Sequence, residues 1–138
     1  MTEATHETEQ TVREYADIWN KQDYERIPDV VSESYVHDGP VTRVEGHAGL
    51  EGLMREFTAA FPDFHVEILE ILADENTAAA EVKYTMTHEG TFNDIPPTGC
   101  RVEVGAIGKF LLEEGKITEH REFHNQLEIL EQLGVMDE

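Results

Sequence analysis

Two stretches of the chain, residues 77–89 (TAAAEVKYTMTHE) and 101–113 (RVEVGAIGKFLLE), decide the fold. In the first stretch the even positions are apolar up to a final His88, whereas the odd positions are mostly polar or charged. A period of two predicts a β-strand that packs one face on a core and turns the other to water. The second stretch keeps mostly apolar residues at its even positions, and Ile107 and Leu111 make its other face partly apolar too. We therefore predict a sheet that is covered on both faces or that contacts a partner subunit.

The segments before these strands have the apolar spacing of helices. Residues 7–21 and 47–61 each repeat apolar side chains every three or four positions, which predicts two amphipathic helices. Pro62 ends the second helix, because proline disfavours helical geometry in the residue before it. Asp23 is positioned to cap a short additional helix that Pro28 breaks or delays.

Three more extended segments complete the pattern. Residues 34–37 form a brief extended piece before the Gly39-Pro40 turn, and residues 66–72 alternate until a bulge or strand end upsets their parity. Residues 116–126 form the last strand, before a short helix that ends at Leu133-Gly134. On one side of this last strand we place Ile117, Glu119, Arg121, Phe123 and Asn125.

Helices followed by four long strands define an α+β domain. A long, strongly twisted sheet curls, so we expect a cone-shaped α+β barrel: a curved, mostly antiparallel sheet with the N-terminal helices packed on its concave face. The interior of this cone is expected to be apolar and open at one end. At 138 residues the chain has the length of a single domain, 1–138, with room for one cavity.

The composition argues against several classes of protein. Thirty acidic residues against ten basic ones give a formal net charge of -20, and no run of Lys or Arg reverses it, so we expect no nucleic-acid binding. No stretch approaches the roughly 18 apolar residues of a membrane span, and residues 1–10 lack secretory features, so we expect a cytoplasmic protein. The acidic residues are dispersed, and salt screens such charge, which favours a halophilic source over an ordinary acidic protein.

A series of short motifs, taken in order, resembles a known family. The motifs are Tyr35-Val-His37-Asp38, Glu45-Gly46, 59–63 (AAFPD), 87–92 (THEGTF), 95–99 (IPPTG), 115–117 (GKI) and 132–134 (QLG). Together they resemble the SnoaL-like polyketide cyclases and predicted ester cyclases over residues 12–134. The resemblance implies a cone-shaped fold of the nuclear transport factor 2-like superfamily, in agreement with the periodicity of the helices and strands.

The resemblance also implies an activity. Polyketide cyclases of this family close a ring by an intramolecular aldol reaction without a cofactor, and an acidic residue of the last strand acts as acid and base. Relatives commonly have Trp and then Asp in that strand, and the matching positions here are Arg121 and Asn125. Asn125 would donate a hydrogen bond to a developing oxyanion, and Arg121 would hold a carboxylate or enolate oxygen. Alternatively, Arg121 pairs with Glu119 and only fills space.

Two histidines are candidates for proton transfer. His88 shares the predicted face of Tyr84 and Met86, which would place its imidazole inside the cone; alternatively it is a core histidine bonded to the backbone. His37 precedes a Gly-Pro turn, where it either assists at the cavity mouth or ties down the turn. The predicted substrate-binding residues, whose aromatic members would serve equally as ordinary core, are Trp19, Tyr35, Phe57, Phe61, Tyr84, Met86, Glu119 and Phe123.

The last strand also contains the H-x-E-x-H pattern of His120, Glu122 and His124. We assign these three residues to the opposite face, in contact with solvent or a second subunit. His120 and His124 would lie about 13 Å apart along a strand, too far to share one ion, so we predict no metal site. Cys100 cannot form an internal disulfide and has no evident activating base, so we treat it as structural.

Two functions fit these observations. The first is a cofactor-independent enzyme of the SnoaL-like ester or polyketide cyclase type that acts on a small, apolar carbonyl compound. In it, His88 would move the proton, Arg121 and Asn125 would stabilise the oxyanion, and His37 would assist. The second is a non-catalytic protein that shelters a small apolar ligand in the same cone, which the amide at Asn125 favours. In both, the resemblance and the apolar second face of residues 101–113 predict a homodimer.

Overall fold

The chain folds into helices packed on a six-stranded sheet. The structure is a computed structural model that describes residues 3–40 and 42–134; residues 1–2, 41 and 135–138 of the predicted domain 1–138 lie outside the described residues. The helices are α1 (Glu3–Lys21), α2 (Ile27–Val30), α3 (Gly46–Ala60) and α4 (Gln126–Gln132). The strands are β1 (Val31–Asp38), β2 (Arg43–Glu45), β3 (His65–Ala73), β4 (Thr77–Thr87), β5 (Arg101–Glu113) and β6 (Lys116–His124).

The strands form one curved sheet in the order β2-β1-β6-β5-β4-β3. All neighbouring strands are antiparallel except β1 and β6, which pair in parallel. Helix α1 packs against β3 and α3 packs against β1, so both cover the inner face of the sheet. The predicted α+β class and the mostly antiparallel sheet are confirmed, although β2 and β3 remain edges and the sheet does not close into a barrel.

The helices begin and end close to their predicted bounds. Helix α1 starts four residues earlier than predicted and ends at Lys21, and α3 spans Gly46–Ala60, just before Phe61 and Pro62. The region expected to hold a short additional helix forms a 3-10 turn and then α2. Pro28 occupies the first turn of α2, where a missing backbone donor costs nothing, so it starts this helix instead of breaking it. No helix in the described residues is long and apolar enough to cross a membrane.

The inward face of the two central strands follows the predicted parity. In β5 every even position from Val102 to Leu112 is buried, and in β4 the even positions from Ala78 to Met86 are buried or nearly so. The two strands pair in continuous antiparallel register, with Ala80 opposite Gly108. One face of both strands therefore points toward the helices and forms the wall of the core.

The last strand departs from its predicted parity at Thr118. Leu111 pairs with Glu119, but the next residue, Leu112, pairs with Ile117, so β6 carries one extra residue at this point. This β-bulge lets both Ile117 and His120 face the interior. The prediction that the odd positions of this strand point inward is correct at Ile117 and wrong beyond the bulge, where the even positions do so.

Candidate active site

A cavity of about 500 Å³ lies between the inner face of the sheet and helices α1 and α3. Most of its wall is apolar, including Val12, Leu53, Val66, Val82, Phe110 and Ile129. No Lys or Arg among the described residues lines it. A cavity of this size, mostly apolar with a few converging polar groups, is typical of a site for one small molecule.

The three imidazoles of the cavity and the carboxylate of Glu122 come from two neighbouring strands. His120, Glu122 and His124 are the even positions of β6 beyond the bulge, and His37 lies on β1 in register with His120. The rings of His37 and His120 stand 4.9 Å apart in a T-shaped arrangement. The bulge and the parallel pairing of β1 with β6 thus bring three imidazoles and one carboxylate to the cavity.

Glu122 and His124 form a buried pair held by two further side chains. His124 Nδ1 lies 2.6 Å from Glu122 Oε2, and the Tyr84 hydroxyl donates to Glu122 Oε1 at 2.6 Å. On the far side of the imidazole, His124 Nε2 lies 3.0 Å from Gln126 Oε1. The two side chains of the pair are only 12% and 10% exposed, so the surrounding solvent screens the interaction weakly.

The hydrogen bonds of this pair favour its charged form. Burial alone would raise the pKa of Glu122, but the hydrogen bonds from His124 and Tyr84 hold it at about 2. Burial likewise opposes the charge of His124, yet its bonds to Glu122 and Gln126 raise its pKa above the usual 6.5. Both nitrogens of His124 face acceptor oxygens, as a protonated imidazole requires. The hydrogen bonding of the pair therefore favours a carboxylate next to an imidazolium in the cavity.

The other two imidazoles belong to a separate hydrogen-bonded group. His120 Nδ1 lies 3.1 Å from the Tyr15 hydroxyl, which lies 2.7 Å from the Tyr35 hydroxyl, and Tyr35 reaches His37 Nδ1 at 3.4 Å. Burial lowers the pKa of His120 to about 3, and it also lowers the pKa of His37. Burial raises the pKa of both phenols above 10. These four groups are consequently neutral near pH 7.

The ring of His120 is positioned by β5. It stacks on Phe110 with ring centroids 4.3 Å apart, and the Tyr15 ring packs against it in a T-shaped arrangement with centroids 5.2 Å apart. Gly108, opposite Glu122 in the register, leaves the space that the imidazole fills, because a Cβ there would lie 2.8 Å from His120 Nε2. The absence of a side chain at Gly108 is therefore part of the site.

Several residues predicted from the sequence do line the cavity. These are His37, Trp19, Phe57, Tyr84 and Met86. Tyr35 and Phe61 are fully buried in the core and do not form part of the cavity wall. Tyr35 still reaches the site indirectly, through its hydrogen bonds to Tyr15 and His37.

Four residues of β6 and the following turn were predicted to belong to the site, and the structure corrects this prediction because they face outward. Glu119, Arg121, Phe123 and Asn125 lie outside the cavity, because the bulge at Thr118 turns these positions away from it. The Arg121 guanidinium lies 5.8 Å from the centre of the exposed Phe123 ring. Asn125 caps helix α4 by accepting from the Glu128 backbone amide. None of the four is placed to touch a ligand in the cavity.

His88 is buried but lies behind the cavity wall. Its Nδ1 accepts from the Thr98 backbone amide at 3.2 Å, and its ring packs on Phe61 with centroids 5.5 Å apart. Its backbone amide donates to the Cys100 carbonyl, so the histidine ties the 88–100 loop together. The expectation that this imidazole enters the cavity is wrong, because the rings of Phe61 and Phe92 pack against it and Phe92 lines the cavity there. The alternative, a core histidine that organises backbone, describes its position.

Sequence reasoning missed His120, Glu122 and His124, which it assigned to the opposite face. Ile117 and His120 have opposite parity, so both can face the core only if a bulge lies between them. That requirement is the signal that would have placed these three residues. Within residues 3–40 and 42–134, no three His, Cys, Asp or Glu side chains are arranged to hold a metal ion.

The curved open sheet and the helices that cover it match the nuclear transport factor 2-like fold. A family model described as SnoaL-like polyketide cyclase matches residues 9–133. The chain therefore belongs to the SnoaL-like polyketide cyclase family, as its motifs predicted. Comparison with curated proteins gives no significant match.

Solved structures agree with this assignment. The chain is 30% identical to AclR from Streptomyces galilaeus, described as a "putative hydroxylase", over 97% of this chain and 89% of that one, with a TM-score of 0.83. A "putative SnoaL-like polyketide cyclase" from Jannaschia sp. CCS1 is 19% identical over 99% and 98% of the two chains, with a TM-score of 0.90. An LEH-like epoxide hydrolase from M. tuberculosis is 20% identical over 94% and 90%, with a TM-score of 0.75. The last two show the fold alone.

Proposed function

We propose that this protein is a cofactor-independent enzyme of the cyclase or isomerase type that moves a proton on a small, largely apolar carbonyl compound. The observation that carries the proposal is the Glu122–His124 ion pair buried beside two neutral imidazoles in an apolar cavity. A pair of titratable groups whose surroundings push their pKa values apart is the usual arrangement for acid–base chemistry. Membership of a cyclase family supports the same class of reaction.

Each polar group has a distinct part in the proposed reaction. His37 is neutral and lines the cavity, so its imidazole accepts the proton from the carbon next to the carbonyl. His124 exchanges its Nε2 contact with Gln126 for the carbonyl oxygen of the ligand and polarises that carbonyl. Tyr84 fixes the Glu122 carboxylate through its hydroxyl. This assignment replaces the earlier one of His88, Arg121 and Asn125.

The cavity also limits the charge of the ligand. The carboxylate of Glu122 is already balanced by His124, and no Lys or Arg in the described residues lines the wall. An anionic ligand would lose its hydration without gaining a free cation. We therefore expect a neutral compound such as a ketone or an ester.

The experiment is deuterium exchange into benzoylacetone, a small apolar diketone, followed by proton NMR in deuterated water. We expect the wild-type protein to accelerate exchange and His37→Gln to reduce the rate by about 100-fold, the loss typical of a general base. His65→Gln, on the exposed start of β3, is the matched control and should behave as wild type. Unchanged exchange in His37→Gln would reject the role of His37.

A non-catalytic protein that shelters an apolar ligand is the second candidate. The mostly apolar wall of the cavity favours it. Native mass spectrometry of the purified protein distinguishes the two, because a carrier retains an unmodified ligand. Binding of benzoylacetone without any acceleration of exchange would favour the carrier over the enzyme.

We also propose a homodimer formed through the outer face of the sheet. Ile107 and Phe123 are paired across β5 and β6 on this face and are 52% and 53% exposed. Adjacent exposed apolar side chains of this kind mark protein contacts. Analytical ultracentrifugation should show a dimer that Phe123→Glu dissociates, whereas Leu72→Glu on the edge strand β3 should not change the mass. A monomeric wild-type protein would refute the interface.

The dispersed acidic charge supports a further proposal, a protein adapted to high salt. With a net charge of -20, repulsion between surface carboxylates weakens the folded state unless ions screen it. The urea midpoint should therefore rise from low to molar KCl, and an unchanged midpoint would remove this proposal. The cytoplasmic location and the single domain stay predictions.

A further inference from the structure

Four buried side chains form a continuous hydrogen-bonded chain along the cavity wall. In order they are His37, Tyr35, Tyr15 and His120, joined by contacts of 3.4, 2.7 and 3.1 Å. The two imidazoles stand at the ends and the two phenols between them. Each imidazole uses Nδ1 in this chain, which leaves Nε2 for other contacts.

Both Nε2 atoms lie beside glycines of the cavity wall. A Cβ on Gly39 would stand 3.3 Å from His37 Nε2, and a Cβ on Gly108 would stand 2.8 Å from His120 Nε2. Both glycines and both histidines line the cavity. Within the described part of the chain no hydrogen bond reaches either Nε2 atom, so both are open to a ligand.

The contacts permit only two arrangements of the protons. The 2.7 Å contact between the phenol oxygens needs one hydrogen between them, because two facing lone pairs would repel. If Tyr15 donates to Tyr35, then Tyr35 donates to His37 Nδ1 and His120 donates from its own Nδ1 to Tyr15. If Tyr35 donates to Tyr15, every donor in the chain is reversed.

Other arrangements leave a group unsatisfied. If both imidazoles carried hydrogen on Nδ1, four hydrogens would compete for three contacts, and one phenol hydrogen would have no acceptor in the chain. An unpaired buried hydroxyl costs about 1–3 kcal/mol. In each of the two permitted arrangements one imidazole therefore has a bare Nε2, a base, and the other has an Nε2–H, an acid.

We propose that His37 and His120 are a coupled acid–base pair, joined through Tyr35 and Tyr15, in which one imidazole takes a proton from the ligand as the other returns one. The inference rests on the proposed function and deepens it. The ligand it implies is an enolisable carbonyl compound, which loses a proton at carbon and gains one at oxygen.

The proton count of this step balances. A C–H bond of the ligand breaks as an N–H bond forms at the bare Nε2 of His37. The Nδ1 proton of His37 passes to Tyr35, the Tyr35 proton to Tyr15, and the Tyr15 proton to His120 Nδ1, while the Nε2 proton of His120 goes to the carbonyl oxygen. The C–H electron pair becomes the double bond of the enol or, in ring closure, the new C–C bond. Exchange with water at the two Nε2 atoms restores the starting arrangement.

The surroundings of the histidines favour a neutral route. Burial disfavours a charge on either ring, and it lowers the pKa of His120 to about 3. A base acting alone would have to become an imidazolium in this environment. The four-group chain moves a proton between two places without leaving a net charge on any member.

The coupling is tested by NMR of the ring nitrogens in the full-length protein labelled with 15N-histidine. We expect His37 and His120 in opposite tautomers near neutral pH. Tyr15→Phe removes the connecting hydroxyl and should abolish this relation. The control is Tyr24→Phe, whose hydroxyl contacts Thr58 outside the chain, and it should preserve the relation. The same tautomer at both histidines of the wild-type protein would overturn the proposal.

Kinetics with benzoylacetone test whether protons pass along this hydrogen-bonded chain, the proton relay, during the reaction. Tyr15→Phe keeps both imidazoles, so we expect KM near that of wild type and kcat lowered about 10-fold or more, with Tyr24→Phe unchanged. An unchanged kcat in Tyr15→Phe would show a purely structural network and would overturn the relay. If the wild-type protein fails to accelerate exchange, the proposed function fails for this compound, whereas the tautomers still decide the coupling.

Discussion

Replacing Gly108 with alanine tests how closely the cavity wall fits its histidine. The added Cβ would stand 2.8 Å from His120 Nε2 and 3.0 Å from the Phe110 ring. Real Cβ atoms essentially never approach another heavy atom so closely as the first of these contacts. The substitution therefore forces the imidazole or the strand to move.

The imidazole has little freedom to turn aside. It stacks on Phe110 at 4.3 Å and contacts the Tyr15 hydroxyl at 3.1 Å. Overpacking a filled core costs about 1–3 kcal/mol, and losing the Tyr15 contact adds about 1 kcal/mol. We expect Gly108→Ala to lower the free energy of unfolding by about 2–4 kcal/mol, measured by urea denaturation with circular dichroism.

Gly105→Ala on the same strand is the matched control. Gly105 is exposed, and the nearest atom to an added Cβ is the Val82 carbonyl oxygen at 3.9 Å, an ordinary contact. Its φ lies outside the left-handed region, so alanine should be neutral or stabilise by less than about 1 kcal/mol. Equal unfolding free energies for the two variants would refute the close fit of His120 against β5.

Two further predictions concern the charges of the site. The folded state keeps the pKa of His120 at about 3 against 6.5 in the unfolded chain, so only the unfolded chain gains this proton as the pH falls. Stability should therefore drop by about 2 kcal/mol from about pH 8 to about pH 5, and His120→Gln should lack this part of the slope; equal slopes would contradict it. Glu122→Gln should lower the pKa of His124, followed by NMR titration, because burial then acts without the carboxylate. Glu119→Gln, outside the cavity, should leave that pKa in place, and an unshifted value in Glu122→Gln would contradict the ion pair.

Most of the fold was predictable because it depends on the periodic spacing of apolar residues within single segments of the chain. The alternation in residues 77–89 and 101–113 depends on each strand having one buried face, and the helix 47–61 depends on a stripe of apolar residues ended by proline. Such patterns can be recognised in the sequence without knowing how the helices and strands pack together. Strand order and the parallel pairing of β1 with β6 did not follow from period, because they depend on contacts between distant segments.

The site was only partly predictable, because it depends on single residues that break the period. His37, Trp19 and Tyr84 were placed correctly from their neighbours. His88 was misplaced because its parity correctly predicts burial but does not reveal the Phe61 and Phe92 rings that pack against it. Arg121 was misplaced because alternation was continued through Thr118 without a bulge. Neither deviation has a strong local signature such as glycine or proline at the point where it occurs.

The bulge at Thr118 has a consequence for how this family diverges. One extra residue in a strand reverses the facing direction of every residue after it. Side chains that pointed outward then point inward, although the residues themselves are unchanged. Homologues that gain or lose that residue would exchange their entire set of reactive side chains on β6 while keeping the same overall shape. Aligning such homologues column by column would then equate groups that face opposite ways, so catalytic assignments should be transferred by facing direction.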